Sequence, residues 1–375
     1  EQRIGQTAHD FVQLLGSPDV VITRAAKRDG SPMVPSRFLQ RLHAFAGKDA
    51  WARMTERGEA YRRLARALEA SPSAKPLPRP APKPDPALFP RTLSVTEVET
   101  LVRDPYAIYA KHILKLDALD AIATAPGPAE RGTLLHDILG KFATDYPQAL
   151  PPDAHHQLLQ RGADAFRPLE QAYPELYAEW WPRFERLAAA FVGWDQGRRV
   201  ALAQVLAERS GKLQIPLSGG QAFTLRARAD RIEARTDGSF AIVDFKTGQP
   251  PSAKEVFAGF SPQLTLEAAM LMEGGFADLA PPRETPDLLY VHISGGREPL
   301  KERAIETPND DGRSVAEIVA EHRRRLGGLV EAYAAGERGY RSRPFPKYAR
   351  KYSDYDHLAR VKEWALASAD EEGEA

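Results

Sequence analysis

The sequence predicts an α/β fold in which a central mixed sheet lies between helices. Three observations carry that prediction. Apolar residues recur at helical spacing up to about residue 200. From about 200 to 246 they alternate as in consecutive strands, with a tight turn at Asp237-Gly238. Beyond 261, helix, strand and helix follow in turn. The chain has 375 residues, 43% of them hydrophobic, enough for one large domain and a smaller piece.

Residues 1 to about 70 read as helical, with one apolar strand candidate, "DVVIT" (19–23). In "PSRFLQRLHAF" (35–45), Phe38, Leu39, Leu42 and Phe45 fall at helical spacing. The segment 71–90 holds eight prolines, which forbid a helix interior and favour polyproline II. We read 71–92 as a linker and place the second domain at 93–365, with an acidic tail at 366–375. The chain begins at Glu1 without a methionine, and we read it as a piece of something longer.

The second domain opens with a capping box, Ser94 with Glu97, and a hydrophobic staple, Leu93 with Val98. Asp104-Pro105 offers a second N-cap and N1 pair. Helices are expected at 131–146, 154–172 and 176–199. Strands are expected at 201–209, 212–218, 222–234 and 239–247. A helix at 261–274 takes Ser261 as N-cap and Pro262 at N1. A strand at 287–294 and a long helix at 313–335 complete the core.

Composition excludes several classes. With no cysteine there is no disulfide, no thiolate-held metal or iron–sulfur cluster and no cysteine nucleophile. Basic and acidic side chains balance at 51 each, so a nucleic-acid partner would need a local basic channel. No apolar run is long enough for a transmembrane helix, and no signal peptide is visible, so no membrane partner is expected. No G-x-x-x-x-G-K-[ST] occurs, so ATP hydrolysis is not expected of this chain.

Chemistry concentrates in the hairpin "RARADRIEARTDGSFAIVDFKTG" (226–248). On a strand, residues two apart share a face, so Asp244 and Lys246 point together beyond Phe240 and Ile242. A plain ion pair at the sheet rim would account for them. Yet Lys246 is the only lysine of the chain with a carboxylate two residues before it. On the preceding strand, the apolar phase runs through Phe223, Leu225, Ala227 and Ala229, then resumes at Ile232 and Ala234. It slips at Asp230, where a bulge or bend would re-aim a side chain. Across the hairpin Asp230 would meet Asp244, and adjacent carboxylates favour a hard divalent cation. His136 shares a helix face with Leu139, Gly140 and Ala143, whose small members admit a close neighbour. Gln263 stands in the first turn of its helix. Trp180, Trp181 and Trp194 are assigned to helix packing.

In this order the residues resemble the RecB-type branch of the PD-(D/E)XK nucleases. That pattern reads here as Gly132-x-x-x-His136, Asp230, Asp244-x-Lys246 and Gln263. The flanking segments "LSVTEVETLVRDPYAIYAKHILKL" (93–116), "SPQLTLEAAML" (261–271) and "DYDHLARVKEW" (354–364) resemble the AddB family of helicase–nuclease subunits. The resemblance implies a PD-(D/E)XK, restriction-endonuclease-like core preceded by the tail of a helicase-like region. It implies a metal-dependent deoxyribonuclease, an exonuclease acting in double-strand break repair and recombination. Its partners would be single-stranded or unwinding DNA and an AddA-type helicase–nuclease subunit in the bacterial cytoplasm. His136, Asp230, Asp244 and the Phe245 carbonyl would hold Mg²⁺ or Mn²⁺; Lys246 and Gln263 would complete the catalytic set.

Two departures follow. Many members of that family place cysteines for an iron–sulfur cluster, and here Asp104 stands at the first such position. Packing of Tyr340, Phe345 and Tyr348, with arginine salt bridges, is expected to hold the C-terminal segment instead. Glu267 stands where a tyrosine often follows the glutamine. For DNA contact the sequence offers Arg226 and Arg228 near Asp230, and Arg341, Arg343, Lys347, Arg350 and Lys351 among aromatics. A catalytically degenerate fold serving as a DNA-binding scaffold is the main alternative; a CRISPR-associated exonuclease of the same superfamily is another.

Overall fold

A computed structural model describes residues 2–28, 30–69, 77–119, 124–308, 311–350 and 353–365. The acidic tail and Lys351 lie outside them. The chain divides into two compact units, Glu1–Pro76 and Leu77–Ala375.

The first unit holds α1 (Gln2–Leu15), a two-residue ribbon of β1 (Lys27–Arg28) and β2 (Ser31–Pro32), and α2 (Arg37–Glu69). Gly47 breaks α2 at a left-handed φ of 74°, which its missing Cβ permits. Phe11 and Phe38 stack at 5.7 Å. The expected strand at 19–23 does not form: these residues are exposed and without a pairing strand.

The second unit begins at Leu77, inside the segment expected as a linker. Residues 77–92 are part of the folded body. Proline cannot donate to a ladder, but its carbonyl accepts. The Pro80 and Pro82 carbonyls take the N–H groups of Ser342 and Tyr340, both at 2.9 Å. Phe89 is buried in the core.

Then come β3 (Thr92–Ser94), α3 (Val95–Arg103), α4 (Pro105–Ile108) and a single π turn at 109–113. The Ser94–Glu97 capping box forms, and Leu93 and Val98 are both buried. Asp104 precedes α4 but makes no capping hydrogen bond. Three helices follow, α5 (Pro128–Asp145), α6 (Ala154–Ala172) and α7 (Pro174–Arg199). The long antiparallel pair β4 (Leu202–Pro216) and β5 (Ala222–Arg235) leads into β6 (Phe240–Lys246). The two strands expected at 201–209 and 212–218 are thus one, because Ser210 and Gly211 between them pair with Arg228 and Ala227 of β5 and make no turn. Gly211 instead lets the strand press against Met270 and Phe276. The Asp237-Gly238 turn is present, with Gly238 at φ 86°.

The remainder is α8 (Ala253–Phe257), α9 (Gln263–Met272), β7 (Asp287–Ile293), β8 (Leu300–Ala304) and α10 (Val315–Ala334). The α9 helix starts one residue later than expected. Pro262 is its N-cap, and the Ser261 hydroxyl accepts from Arg103 Nη2 at 2.6 Å instead of capping.

The sheet runs β3-β5-β6-β7-β8, with β4 on the other side of β5. The β3–β5 and β6–β7 pairs are parallel and the rest antiparallel, so the sheet is mixed. One face packs on α3, α9 and α10 through Leu101, Leu266 and Ile318, among others. The opposite face packs on α5, α6 and α7 through Leu139, Phe166 and Phe191. Burial of these two apolar layers is the main stabilising term of such a sandwich.

Candidate active site

The site arises where the sheet splits. β3 pairs with β5 at Thr224 to Arg226, and β6 pairs with the same side of β5 from Arg231 to Ala234. Residues 227–230 face the notch between them. The β5–β6 ladder ends at Arg231↔Val243, one step short of bringing Asp230 opposite Asp244. There the Asp230 side chain replaces the missing rung: its Oδ2 accepts from Phe245 N at 2.9 Å.

The phase slip at Asp230 is real, but no residue is inserted opposite β4. The register runs without a shift from Ala207↔Arg231 to Arg209↔Ala229, so Glu208 stands opposite Asp230. Glu208 has a left-handed φ of 53°, and both strands exchange faces together. Beyond the slip, Arg231 and Glu233 turn to the α7 face. Arg231 pairs with Asp195 at 2.6 Å and with Glu233 at 2.8 Å, all three buried.

His136 comes from α5. Its Nδ1 lies 3.3 Å from Asp230 Oδ2, and its ring meets Phe245 edge-on. The close approach depends on Gly140, one turn further along: a Cβ there would stand 2.5 Å from Glu208 Oε1. The Lys246 ammonium sits 2.7 Å from Asp244 Oδ2. Gln263 bridges them, accepting from Lys246 Nζ at 3.1 Å and donating to Asp244 Oδ1 at 2.6 Å. The five residues singled out from the sequence therefore form one connected group around the end of β6. Phe245 is placed by its N–H; its carbonyl belongs to the ligand set by resemblance alone.

Electrostatics follow from burial. Asp244 is pushed up to about 6, first by burial and then by Asp230, against the lowering effect of Lys246. For Lys246, burial would lower the ammonium's pKa, but the Asp244 carboxylate outweighs it and the net shift is upward. Burial likewise opposes protonation of His136, and Asp230 reverses the balance. Glu267 is raised well above the carboxylate range by burial, with Asp244 and Asp230 adding to it. It touches Gln263 Nε2 at 3.3 Å.

The donor types, carboxylate oxygens and an imidazole nitrogen, are ones that a hard divalent cation takes. Asp244 Oδ2 is buried and accepts no hydrogen bond of good geometry, although the Lys246 ammonium is beside it. An oxygen lone pair in that condition is suited to a cation. The His136–Asp230 contact adds a nitrogen and further oxygens. Among the described residues, no three His, Asp or Glu side chains converge on a single point; Lys246 and Gln263 hold Asp244 instead.

The basic residues proposed for DNA are placed differently. Arg226 and Arg228 are exposed on β5, and Arg228 pairs with Glu208 at 2.7 Å. Arg343 pairs with Asp356 and Arg350 with Glu99. Arg341 and Lys347 are exposed, with Lys347 Nζ 5.7 Å from the Tyr348 ring. The C-terminal segment is strapped down through Tyr340, buried against Tyr333, and through Tyr348, stacked on Phe260 at 3.8 Å. Phe345 meets Phe260 edge-on. Asp104 Oδ1 accepts from Arg343 N at 3.1 Å, and so an aspartate joins the strap at the position where the resembled family often has a cysteine. Trp180 and Trp194 pack as expected, Trp194 against Phe191 and Phe245.

Sequence reasoning missed Glu208, a lone acid in the alternation of β4, and Tyr290. Tyr290 stands opposite Asp244 on β7, fully buried, with a hydroxyl that has no hydrogen-bond partner. Its ring lies 5.8 Å from the Lys246 ammonium. A tyrosine within the aliphatic run "DLLYVHI" was the available signal.

Comparison with known proteins gives the family. An uncharacterized protein of Rickettsia bellii (strain RML369-C) is 31% identical over 284 residues, covering 72% of this chain and 32% of that protein. An uncharacterized protein of Rickettsia conorii is 34% identical over 193 residues, covering 50% of this chain and 23% of that protein. The chain thus spans about a third or less of the curated relatives it matches. The PD-(D/E)XK nuclease superfamily model matches residues 92–345, from β3 to the C-terminal strap. With most of its length inside that match and the expected groups gathered at the split of its sheet, the chain belongs to the PD-(D/E)XK nuclease superfamily.

Proposed function

We propose that this chain is a metal-dependent deoxyribonuclease that works as an exonuclease on single-stranded or unwinding DNA. The observation that carries the reading is the contact chain from His136 through Asp230 to the Asp244–Lys246–Gln263 cluster. His136, Asp230 and Asp244 would hold Mg²⁺ or Mn²⁺, with the imidazole favouring manganese somewhat. When bound, the ion polarises the scissile phosphate and lowers the pKa of a water. Lys246 remains charged, and Gln263 fixes the direction of its ammonium, so that it orients the attacking water or stabilises the developing phosphorane charge. Asp244 keeps the ammonium close without neutralising the site.

The wider role rests on the flanking resemblance. Segments 93–116, 261–271 and 354–364 resemble the AddB family, and a separate helical unit precedes the nuclease unit. We infer work in double-strand break repair and recombination, beside an AddA-type subunit in the bacterial cytoplasm. No helix among the described residues is long and apolar enough to cross a membrane.

Single-turnover cleavage of labelled single-stranded DNA tests the catalytic reading. With Mg²⁺ or Mn²⁺ the unaltered chain is expected to cleave, and Asp244→Ala and Lys246→Ala are expected to fail. Cleavage at the unaltered rate by either variant rejects the assignment.

A further inference from the structure

We propose that four arginines beside the cleavage site form a basin that binds the backbone phosphates of the substrate strand. The inference rests on the nuclease reading above and names its docking surface. An open cavity of about 820 Å³ is lined by Arg131, Arg183, Arg186 and Arg297 together with Ser294 and Gly296, and no carboxylate lines it.

Position ties the basin to the chemistry. β7 runs parallel to β6 with Lys246 paired to His292, so the Ser294–Pro299 loop leaves the same sheet edge that carries Asp244 and Lys246. Ligands of α/β sheets gather at that carboxyl edge. Arg131 immediately precedes Gly132, where a Cβ would stand 3.0 Å from Thr247 Oγ1, next in the chain to Lys246. Arg131 and His136 are five residues apart on α5, roughly 7.5 Å along the axis at 1.5 Å per residue. The basin and the His136–Asp230 pair therefore draw on the same helix, less than two turns apart.

Chemistry argues for an anion. Four guanidinium groups repel one another unless carboxylates or a ligand offset them, and among the described residues the only ion pair any of them makes is Arg183–Glu179 at 3.0 Å. Arg186 is aimed by two hydrogen bonds, from Nε and Nη2 to Gly295 O at 3.1 and 2.9 Å. Arg131 Nε is buried with no hydrogen-bond partner, which is costly unless a ligand supplies one. Planar guanidinium forks match phosphate oxygens in pairs, and the positive end of the 18-residue α5 adds to the field. In the basic C-terminal segment Arg343 and Arg350 are paired within the fold, which leaves Arg341 and Lys347 exposed there.

Fluorescence anisotropy of labelled oligo(dT) on the full chain, in EDTA so that no cleavage occurs, tests the basin. Each of Arg131→Gln and Arg297→Gln should flatten the dependence of log affinity on log salt by about 0.7, the value for one phosphate contact on a single strand. The double variant should bind about tenfold more weakly at moderate salt. Arg297 is exposed on a loop, so Arg297→Gln decides alone if Arg131→Gln fails to fold. The control Arg167→Gln, on α6 and paired with Asp164, should match the unaltered chain. Unchanged affinity and slope in the double variant overturn the proposal, as does an equal loss in the control. Displacement of oligo(dT) by millimolar inorganic phosphate at constant ionic strength would reveal a site for a single free anion and also overturn it. The two readings fail separately. A chain that binds through the basin but cleaves nothing with Mg²⁺ or Mn²⁺ supports the basin and sinks the nuclease assignment. Cleavage with variant-independent binding does the reverse.

Discussion

Asp230 Oδ2 takes the backbone N–H of Phe245 at 2.9 Å while lying 3.3 Å from His136 Nδ1. One carboxylate oxygen thus closes the gap left by the diverging strands and meets the imidazole of α5. Asp230→Asn preserves an acceptor for Phe245 and removes the charge. Its melting temperature should stay close to that of the unaltered chain while the single-turnover rate falls by more than about a hundredfold, the most expected for a group that only supports a ligand. Thermal melting and rapid-quench cleavage, read together, check this; a large drop in both would mean the charge is structural.

Lys246 has a separate prediction. Its ammonium lies against Asp244 and beneath the Gln263 amide, yet it would repel a bound cation. Lys246→Met should slow cleavage by about 10² to 10³ if its role matches that of a single preorganised charge-stabilising donor. Mn²⁺ affinity, measured by calorimetry, should hold or improve. Weaker Mn²⁺ binding would make Lys246 a support for the ligands instead of a catalytic group.

The pH dependence follows from Asp244, whose pKa is pushed up to about 6 by burial and by Asp230. The proton must leave before the carboxylate can ligate. Below about pH 6, cleavage at sub-saturating Mn²⁺ should fall about tenfold per pH unit, and saturating metal should move the limb to lower pH. The upward shift at His136 acts in the same direction. In the metal-free chain the sign for stability is the opposite of a salt-bridged aspartate. A folded pKa above the unfolded value means ionisation destabilises, so stability declines as pH rises from about 4, the unfolded range, towards 6. Asp244→Asn should therefore raise the melting temperature of the metal-free chain at pH 7.

Much of this site was legible because strands and helices have fixed periods. The parity of Asp244 and Lys246 put both on one face, and the interrupted alternation at Asp230 marked a change of face. The sequence could not reveal how that change is achieved. It takes two strands turning together, with Glu208 at positive φ opposite Asp230, and register is a property of the pair. Strands of three and five residues, β3 and β8, carry too few positions to show alternation. The arginine basin draws on α5, α7 and the loop after β7, which only the packed sheet brings together.

The face exchange has its own stabilising set. Arg231 turns inward beside Asp230 and is held by Asp195 and Glu233, with Arg199 on Asp195 at 2.9 Å and Arg198 on Glu233. Asp195→Ala removes one partner from a buried charge and should cost about 3–5 kcal/mol. Urea unfolding measures it. A cost under about 1 kcal/mol, the range of exposed pairs, would mean that water reaches Arg231.

Arg103 joins the C-terminal strap to the loop that positions Gln263. Its Nε donates to Phe260 O at 2.7 Å, Nη1 to Tyr348 O at 3.0 Å and Nη2 to Ser261 Oγ at 2.6 Å. Ser261 lies two residues before Gln263, which holds both Asp244 and Lys246. Arg103→Ala should release the segment around Tyr348 to limited proteolysis and lower the cleavage rate. The stability loss should be roughly 1.5–3 kcal/mol, the range for a hydrogen bond to a charged group. Mn²⁺ affinity should change little, because Asp230 is held by Phe245 N and His136, neither of which touches the strap. Faster proteolysis with an unchanged rate would separate the strap from Gln263, and the Phe260–Tyr348 stack would then serve stability alone.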